Sequence, residues 1–271
     1  QLIEQHRITH SQWVPTMFVR MLKLPDAVRL RHDLSSLQMA VHAAAPCPVE
    51  VKQRMLDWWG PIVHEYYAGT ENNGFCSITP QEWLAHPGSV GRATQGVLHI
   101  CDDDGRELPA GETGLVYFAD GPQFEYHHDP TRTAQTRNAQ GWSTLGDIGR
   151  VDADGYLYLV DRKAFMIISG GVNIYPAEIE SEMTRHEAVR DVAVFGIPHK
   201  DWGEEVKAVI ELAEGYTESD ELKAEILADL AGRLAKFKLP RTIDVVDALP
   251  RQANGKLVKR TLKDPYWAAV Q

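Results

Sequence analysis

A hydroxyl and a carboxylate stand side by side at Thr70 and Glu71, shortly after the run IVHEYY, whose composition is typical of a strand. A small-residue turn at the end of a strand can present both side chains to a ligand. A carboxylate can hold Mg²⁺, a hydroxyl can donate to a phosphate oxygen, and Tyr67 offers an aromatic face for stacking. A Thr-Glu pair after a strand is also a common capping pair, so the pattern alone leaves both interpretations open.

A second acid and a distant arginine form another candidate pair. Asp147 lies in the run LGDIGR, and Arg162 follows it at the end of YLYLVDR. An aspartate can accept hydrogen bonds from both hydroxyls of a ribose, and an arginine can reinforce a ribose or phosphate contact. The alternative is an acid at the end of a hairpin and an arginine on the surface.

Two small-residue turns have room for a ligand near the backbone. Ala44, Ala45 and Pro46 follow the run LQMAVH, and Gly170 and Gly171 precede VNIYP. Small side chains let a flat ring or a narrow chain approach the main chain, and a glycine pair permits positive φ. Ordinary strand-to-helix turns explain the same residues. His42, before the first turn, is either a neighbour of a substrate carboxylate or a polar residue with its hydrogen bonds satisfied.

Lys256 closes the motif LPRQANGK inside a basic stretch. Between Arg233 and Lys263 there are nine Lys or Arg residues and two acids, Asp244 and Asp247. Position 250 is proline where a Walker motif requires glycine, so Lys256 is not a Walker lysine. A local positive field on an acidic protein suits a small anionic ligand, although a solvated basic face is the commoner explanation.

Composition excludes several classes of protein. The 271 residues carry a net charge of −10, with 44% apolar and 24% charged residues. An acidic chain is a poor general binder of nucleic acid, and we see no apolar run long enough to span a membrane. The three cysteines are widely spaced and show no zinc pattern, which favours a reducing, cytoplasmic location. The chain begins with Gln1, so we expect it to be part of a longer gene product.

The pattern of the elements indicates an α/β and α+β fold in three parts. Residues 1–92 alternate strands with helices, PTMFVRML and PVEVKQRMLDWW among them, as in the end of a parallel α/β layer. Residues 93–161 read as a small β-rich subdomain, with VLHIC, GLVYFA and two strands joined by the turn at 152–155. Residues 162–271 read as a mobile C-terminal α+β domain. There we expect a helix from Pro176 through AEIESEMTRHEAV and another over 219–236, capped by Thr217 and Asp220.

Four motifs together resemble one family. They are HEYYAGTENNG (64–74), GWSTLGDIGRVDADGYLYLVDRK (141–163), FMIISGGVNIYPAEIE (165–180) and LPRQANGK (249–256). In this order and spacing they resemble the adenylate-forming enzymes, which comprise acyl- and aryl-CoA synthetases, nonribosomal-peptide adenylation domains and beetle luciferases. The residues of these motifs are most similar to those of bacterial fatty-acyl-CoA synthetases. The resemblance covers essentially the whole chain, but only the later half of a typical member.

The resemblance implies a role for each candidate residue. ATP or AMP, Mg²⁺ and coenzyme A are the implied cofactors, and a carboxylic acid, in particular a fatty acid, is the implied substrate. Catalysis would fall to Thr70 at the α-phosphate, Glu71 as the metal ligand, and Lys256 as the positive charge of the adenylation step. The implied nucleotide and CoA contacts are Ala44, Ala45 and Pro46 around the adenine and acyl pocket, Tyr67 near adenine, Asp147 and Arg162 at ribose, and Gly170 and Gly171 along the pantetheine path.

Two positions depart from the family pattern, and one loop is missing. Ala68 replaces a glycine in the motif around Thr70, and Ala164 replaces the usual charged hinge residue after Arg162. No segment resembles the family's Ser/Thr/Gly-rich loop, which holds the β- and γ-phosphates. We therefore expect the isolated chain to be inactive and its partner to be the missing N-terminal half of the same enzyme.

Two other classes of function stay open at this point. One is a nonribosomal-type domain that adenylates an amino acid, and the other is a non-catalytic fragment that only binds a partner. The favoured interpretation is a truncated acid–thiol ligase of fatty acid metabolism. We expect it in the cytoplasm, with peripheral association at a membrane left open.

Overall fold

The computed structural model describes residues 1–252 and 255–268, and it divides into two compact units, Gln1–Val160 and Asp161–Gln271. Each unit has its own hydrophobic core. In the first unit, buried side chains such as Phe18, Met55 and Trp83 gather in one cluster. In the second unit, Ile179, Val194 and Ile210 belong to another. Among the described residues, no helix is both long and apolar enough to cross a membrane.

The first sheet of unit 1 mixes parallel and antiparallel strands. Its strands lie in chain order, the first three parallel to one another and the fourth and fifth antiparallel to their neighbours. The elements of this layer are α1 (Leu2–His6), β1 (His10–Trp13), α2 (Pro15–Leu22), α3 (Asp26–Arg29), β2 (Met39–His42), α4 (Val49–Trp59), β3 (Val63–Ala68), β4 (Phe75–Ile78), α5 (Pro80–Ala85) and β5 (Arg92–Gln95).

A four-stranded sheet follows, in which strands that are consecutive in sequence are neighbours, with α6 between β7 and β8. β6 pairs antiparallel with β7, and β7 pairs antiparallel with β8. Asp152 holds the turn before the last strand, because its Oδ1 accepts from the backbone N–H groups of Asp154 and Tyr156. The elements are β6 (Val97–Cys101), β7 (Gly114–Ala119), α6 (Pro130–Gln135), β8 (Asp147–Val151) and β9 (Leu157–Arg162).

Among its described residues, unit 2 combines three α-helices with one sheet. A long hairpin of β12 and β13 forms its centre, and β10 and β14 flank β13. The elements are β10 (Ile167–Ser169), β11 (Val172–Ile174), α7 (Pro176–Met183), β12 (Val189–His199), β13 (Gly203–Leu212), α8 (Asp220–Ala231), a 3-10 turn (Lys236–Lys238), β14 (Thr242–Val245) and α9 (Lys259–Ala268). The expected mixed α/β and α+β fold is confirmed.

Both helices expected in unit 2 are shorter than predicted. α7 ends at Met183, where the Thr184 hydroxyl donates to the Ser181 carbonyl oxygen at 2.9 Å and competes with the next helical turn. α8 ends before Gly232, a residue of low helix propensity. The predicted cap of α8 is wrong. Ser219 caps it instead, since its Oγ accepts from the backbone N–H of Leu222 at 3.1 Å.

Candidate functional site

The turn after β2 exposes its backbone at the edge where parallel strands end. Because β2 and β3 are parallel neighbours, their carboxyl ends share one edge of the sheet, where ligands bind in α/β proteins. Ala44 has φ of +76°, a left-handed conformation that is strained for a residue with a side chain. Residues 44–46 are all exposed. This turn is therefore sharp, small and open to a ligand.

A buried ionic cluster underlies that turn. Lys52 of α4 contacts Glu65 of β3 with 2.6 Å between Nζ and Oε2, and His42 Nε2 lies 3.4 Å from the same oxygen. Burial raises the pKa of Glu65 and lowers that of Lys52, while their mutual attraction opposes both shifts. Sequence reasoning did not identify Lys52 or Glu65.

His42 is a buried core residue. It is 0% exposed, and neither ring nitrogen has a hydrogen-bond partner among the described residues. Burial, and to a smaller degree the charge of Lys52, hold the pKa of His42 well below its usual value. The expectation of a polar histidine with satisfied hydrogen bonds is wrong, because the ring lies in the core, edge-on to Phe18.

The turn after β3 joins a segment from the second sheet. The Tyr67 hydroxyl donates to Asp147 Oδ2 at 2.6 Å. A Cβ on Gly69 would lie 2.0 Å from Leu145 Cδ1, so a larger residue would require the Leu145 side chain to move. The Asn73 amide donates to the Ser143 hydroxyl at 3.2 Å. The segments 67–73 and 143–147 are thus held together, and Asp147 is 7% exposed within that contact.

Thr70 and Glu71 lie at the open side of the same turn. Thr70 is exposed, and Glu71 is half-buried. Glu71 Oε1 accepts a hydrogen bond of 2.8 Å from the hydroxyl of Tyr126. Burial, followed by the contact with Glu71, raises the pKa of Tyr126. The guanidinium of Arg132 lies 3.9 Å from the centre of the Tyr126 ring, a cation–π contact that adds to the hydrogen bond with Glu71.

The carboxylate of Glu71 suits Mg²⁺ as a single protein ligand. Mg²⁺ commonly takes one or two protein carboxylates and keeps water or substrate phosphates at its other positions. A fixed carboxylate beside an exposed hydroxyl offers that environment. Within the described residues, the one group of three metal-type side chains within 4.8 Å of one another lies elsewhere, at His86, Asp152 and Asp154.

In unit 2 the glycine pair forms a hairpin turn. Gly170 and Gly171, with φ of +58° and +81°, connect β10 to β11, where Ser169 pairs with Val172. The alternative of a strand-to-helix turn is wrong, because β11 intervenes before α7. Two successive positive φ values are what a tight two-residue hairpin requires, which explains both glycines.

An open aromatic pocket lies beside that hairpin. Its volume is about 180 Å³, and Gly170, Trp202, Phe237 and Arg241 are among the residues that line it. The Arg241 guanidinium lies 4.4 Å from the centre of the Trp202 ring, and His199 stacks on the same ring at 4.3 Å. Phe237 is 51% exposed, and an exposed aromatic face next to a cation can stack a flat ring and attract a phosphate. We call these four lining residues the Trp202 pocket.

The two remaining candidates also lie in unit 2. Arg162 ends β9, and Lys256 is exposed in the turn that precedes α9. Asn254, which belongs to the same motif as Lys256, lies outside the described residues, as does Ala253.

Comparisons with known proteins identify the family. A model described as AMP-binding enzyme matches residues 1–124, and a second, for the C-terminal domain of AMP-binding enzymes, matches residues 178–256. The chain belongs to the AMP-binding enzyme family. The resemblance drawn from the four motifs is therefore confirmed, and the gap between the two matches includes Asp147, Arg162, Gly170 and Gly171.

Relatives of this AMP-binding enzyme chain act on different acyl groups. A feruloyl-CoA synthase of an Amycolatopsis species is 36% identical over 95% of the chain, and a long-chain-fatty-acid–CoA ligase of Mycobacterium tuberculosis is 34% identical over 99%. The ATP-bound structure of MatB from Rhodopseudomonas palustris covers 100% of the chain, with 33% identity and a TM-score of 0.85. The chain spans about half the length of these proteins, namely 52% of both ligases and 53% of MatB.

The structure brings together part of the predicted site within unit 1. Tyr67, Thr70, Glu71 and Asp147 meet around the turn after β3, and residues 44–46 follow the end of the neighbouring strand β2. Sequence reasoning missed Tyr126 and the Trp202 pocket except for Gly170. Tyr126 and Arg132 form no periodic pattern in the sequence. Nothing in the local sequence therefore indicated the contact between Tyr126 and Glu71.

Proposed function

We propose that this chain provides the nucleotide- and CoA-binding part of an AMP-forming acid–thiol ligase whose substrate is a fatty acid. In the first half-reaction the substrate carboxylate attacks the α-phosphorus of ATP, which gives acyl-AMP and pyrophosphate. In the second, the CoA thiol attacks the acyl carbon, and AMP leaves. Both halves need positioning and charge neutralisation, and neither needs a nucleophilic side chain.

The hydrogen bond between Tyr67 and Asp147 carries this proposal. It places the Asp147 carboxylate, which can accept hydrogen bonds from a ribose, beside the ring of Tyr67. The same turn carries the Thr70 hydroxyl, which can donate to a phosphate, and the Glu71 carboxylate. These are the groups that a nucleotide and its Mg²⁺ require. When bound, Mg²⁺ would neutralise phosphate charge, and Glu71, held by Tyr126, would be its protein ligand.

The proposed substrate is a fatty acid, and the proposed location is the cytoplasm. One relative is named for a long-chain fatty acid and another for an aromatic acid, so a panel of both acid types is the direct comparison. The sequences of the four motifs favour the fatty acid. The cytoplasm is the proposed location, since ATP and CoA are both available there.

Replacing Asp147 with asparagine should weaken ATP binding through the ribose. An amide keeps the shape but loses the charge that strengthens hydrogen bonds from ribose hydroxyls. We expect the KM for ATP to rise about tenfold or more, in line with hydrogen bonds to charged groups. Steady-state kinetics of the full-length protein with ATP and with 3′-deoxy-ATP would measure it.

The analogue makes this test specific. The unsubstituted protein should prefer ATP to 3′-deoxy-ATP, and Asp147→Asn should lose most of that preference. Asp154→Asn, at an exposed turn of the same sheet, is the matched control and should keep it. Equal preference in the Asp147 variant and the control would argue against a ribose contact.

Replacing Trp202 with alanine should weaken CoA binding alone. Trp202 lines the pocket and its ring contacts Arg241, so its removal takes away an aromatic wall and a support for the cation; we expect an affinity loss of about 1–3 kcal/mol, as for other aromatic contacts to a base. The KM for CoA should therefore rise about fivefold to a hundredfold, while pyrophosphate exchange without CoA stays unchanged. Tyr216→Ala, an exposed aromatic of the same unit, is the control. An unchanged KM for CoA after Trp202→Ala would exclude the Trp202 pocket as the CoA site.

A further inference from the structure

Asp191 and Arg251 form a bidentate ion pair, with two hydrogen bonds, in unit 2. Arg251 Nε donates to Asp191 Oδ2 at 2.8 Å, and Arg251 Nη2 donates to Oδ1 at 2.7 Å. The side chain of Arg251 is only 18% exposed and that of Asp191 only 12%. Asp191 belongs to β12 in the central hairpin, so this carboxylate is held by the most extensive pairing of the unit.

The same guanidinium also holds the turn that carries Lys256. Arg251 Nη1 donates to the carbonyl oxygen of Gly255 at 2.7 Å, and Gly255 directly precedes Lys256. The backbone N–H of Gln252 donates to the carbonyl oxygen of Lys256 at 3.0 Å, and Arg251 pairs with Leu257 across the turn. One side chain thus connects the rigid sheet to the residue before the lysine.

The start of the turn is fixed independently. The backbone N–H of Leu249 donates to Glu211 Oε1 on β13 at 2.6 Å, and the backbone N–H of Val258 donates to the carbonyl oxygen of Pro250 at 2.8 Å. Between these two anchored ends, Arg251 adds a side-chain contact at Gly255, next to Lys256.

We propose that Asp191 and Arg251 are positioning residues for Lys256, a role that rests on the proposed function of Lys256 in adenylation. A lysine is a flexible point charge, and its effect on a developing charge depends on a backbone that is already in place. Arginine suits this role because its planar fork bonds a carboxylate twice and still has a donor for Gly255. Lysine cannot reproduce those three contacts in one geometry.

A positioning role and a purely structural role predict different effects on the two half-reactions. Arg251→Lys keeps the charge and the side-chain volume, so the domain should fold, while the fork geometry is lost. In the full-length protein we expect pyrophosphate exchange to fall about tenfold or more through kcat. Thioester formation from supplied acyl-AMP should stay within about twofold, because Lys256 serves only the first half-reaction. Asp191→Asn should show the same split. Arg260→Lys, an 86% exposed arginine of the same segment, should change neither rate.

A double substitution distinguishes failure of this inference from failure of the proposed function. In a Lys256→Ala background, Arg251→Lys should cause no further loss of exchange, since the residue it positions is gone. Equal loss in both half-reactions, or a full further loss in the Lys256→Ala background, would overturn the positioning role. Exchange that is unaffected by Lys256→Ala would instead overturn the proposed function of Lys256.

Discussion

Replacing Lys256 with alanine in the full-length protein should reduce pyrophosphate exchange by at least about a hundredfold, the effect of losing one major contact to a developing charge. Lys256 is exposed in a turn that is anchored at both ends, so the backbone that carries the ammonium group is already in place when charge develops on the carboxylate and the α-phosphate. The measurement is ATP–pyrophosphate exchange driven by a fatty acid. Thioester formation from supplied acyl-AMP should survive the substitution.

The division between the two half-reactions is what makes that result informative. Lys223→Ala, which removes a surface lysine paired with Glu218 on α8, is the matched control and should leave both rates unchanged. Equal loss of both half-reactions in the Lys256 variant, with a lowered melting temperature, would point to a folding defect. A Lys256 variant with undiminished exchange would remove this lysine from the chemistry.

The second large effect concerns the 271 residues by themselves. Relatives are about twice as long, and no segment of this chain resembles the loop that holds the β- and γ-phosphates in the family. We expect the chain alone to show pyrophosphate exchange at least about a thousandfold below that of the full-length protein, because the reacting groups would lack their positioning contacts. The comparison uses the same acid, ATP and Mg²⁺ concentrations for both proteins.

Folding must be monitored in that experiment. Each unit has its own buried core, so the isolated chain should unfold cooperatively by circular dichroism, in one transition or in one for each unit. A folded chain without exchange supports the account. A folded chain that exchanges pyrophosphate at a rate close to that of the full-length protein would show that its 271 residues hold all three phosphates.

The motifs and the elements that carry them were predictable because their determinants are local. Thr70 and Glu71 follow a strand, the glycine pair marks a turn, and Pro15 and Pro176 begin helices. Element ends were less predictable. At α8 two neighbouring hydroxyls, Thr217 and Ser219, compete to cap the helix, and local sequence does not determine which one does so.

Contacts between distant segments could not be predicted from residue types. The bond from Tyr67 to Asp147 depends on how two sheets of unit 1 pack, and the bond from Tyr126 to Glu71 depends on the segment that leads into α6. The pairing of Asp191 with Arg251 depends on the position of β12 in its sheet. Each of these side chains is ordinary in its own stretch of sequence. Only the tertiary fold gives it a partner.

Isotope transfer tests the central claim, that the carboxylate of the substrate attacks the α-phosphorus of ATP. The full-length protein is incubated with a fatty acid labelled with ¹⁸O in both carboxylate oxygens, together with ATP, Mg²⁺ and CoA, and the products are analysed by mass spectrometry. In the proposed sequence one carboxylate oxygen bridges to phosphorus and leaves with AMP when the thiol attacks. The account predicts one ¹⁸O atom in each AMP, with unlabelled pyrophosphate and an equal amount of acyl-CoA. Unlabelled AMP, or label in ADP or inorganic phosphate, would contradict it.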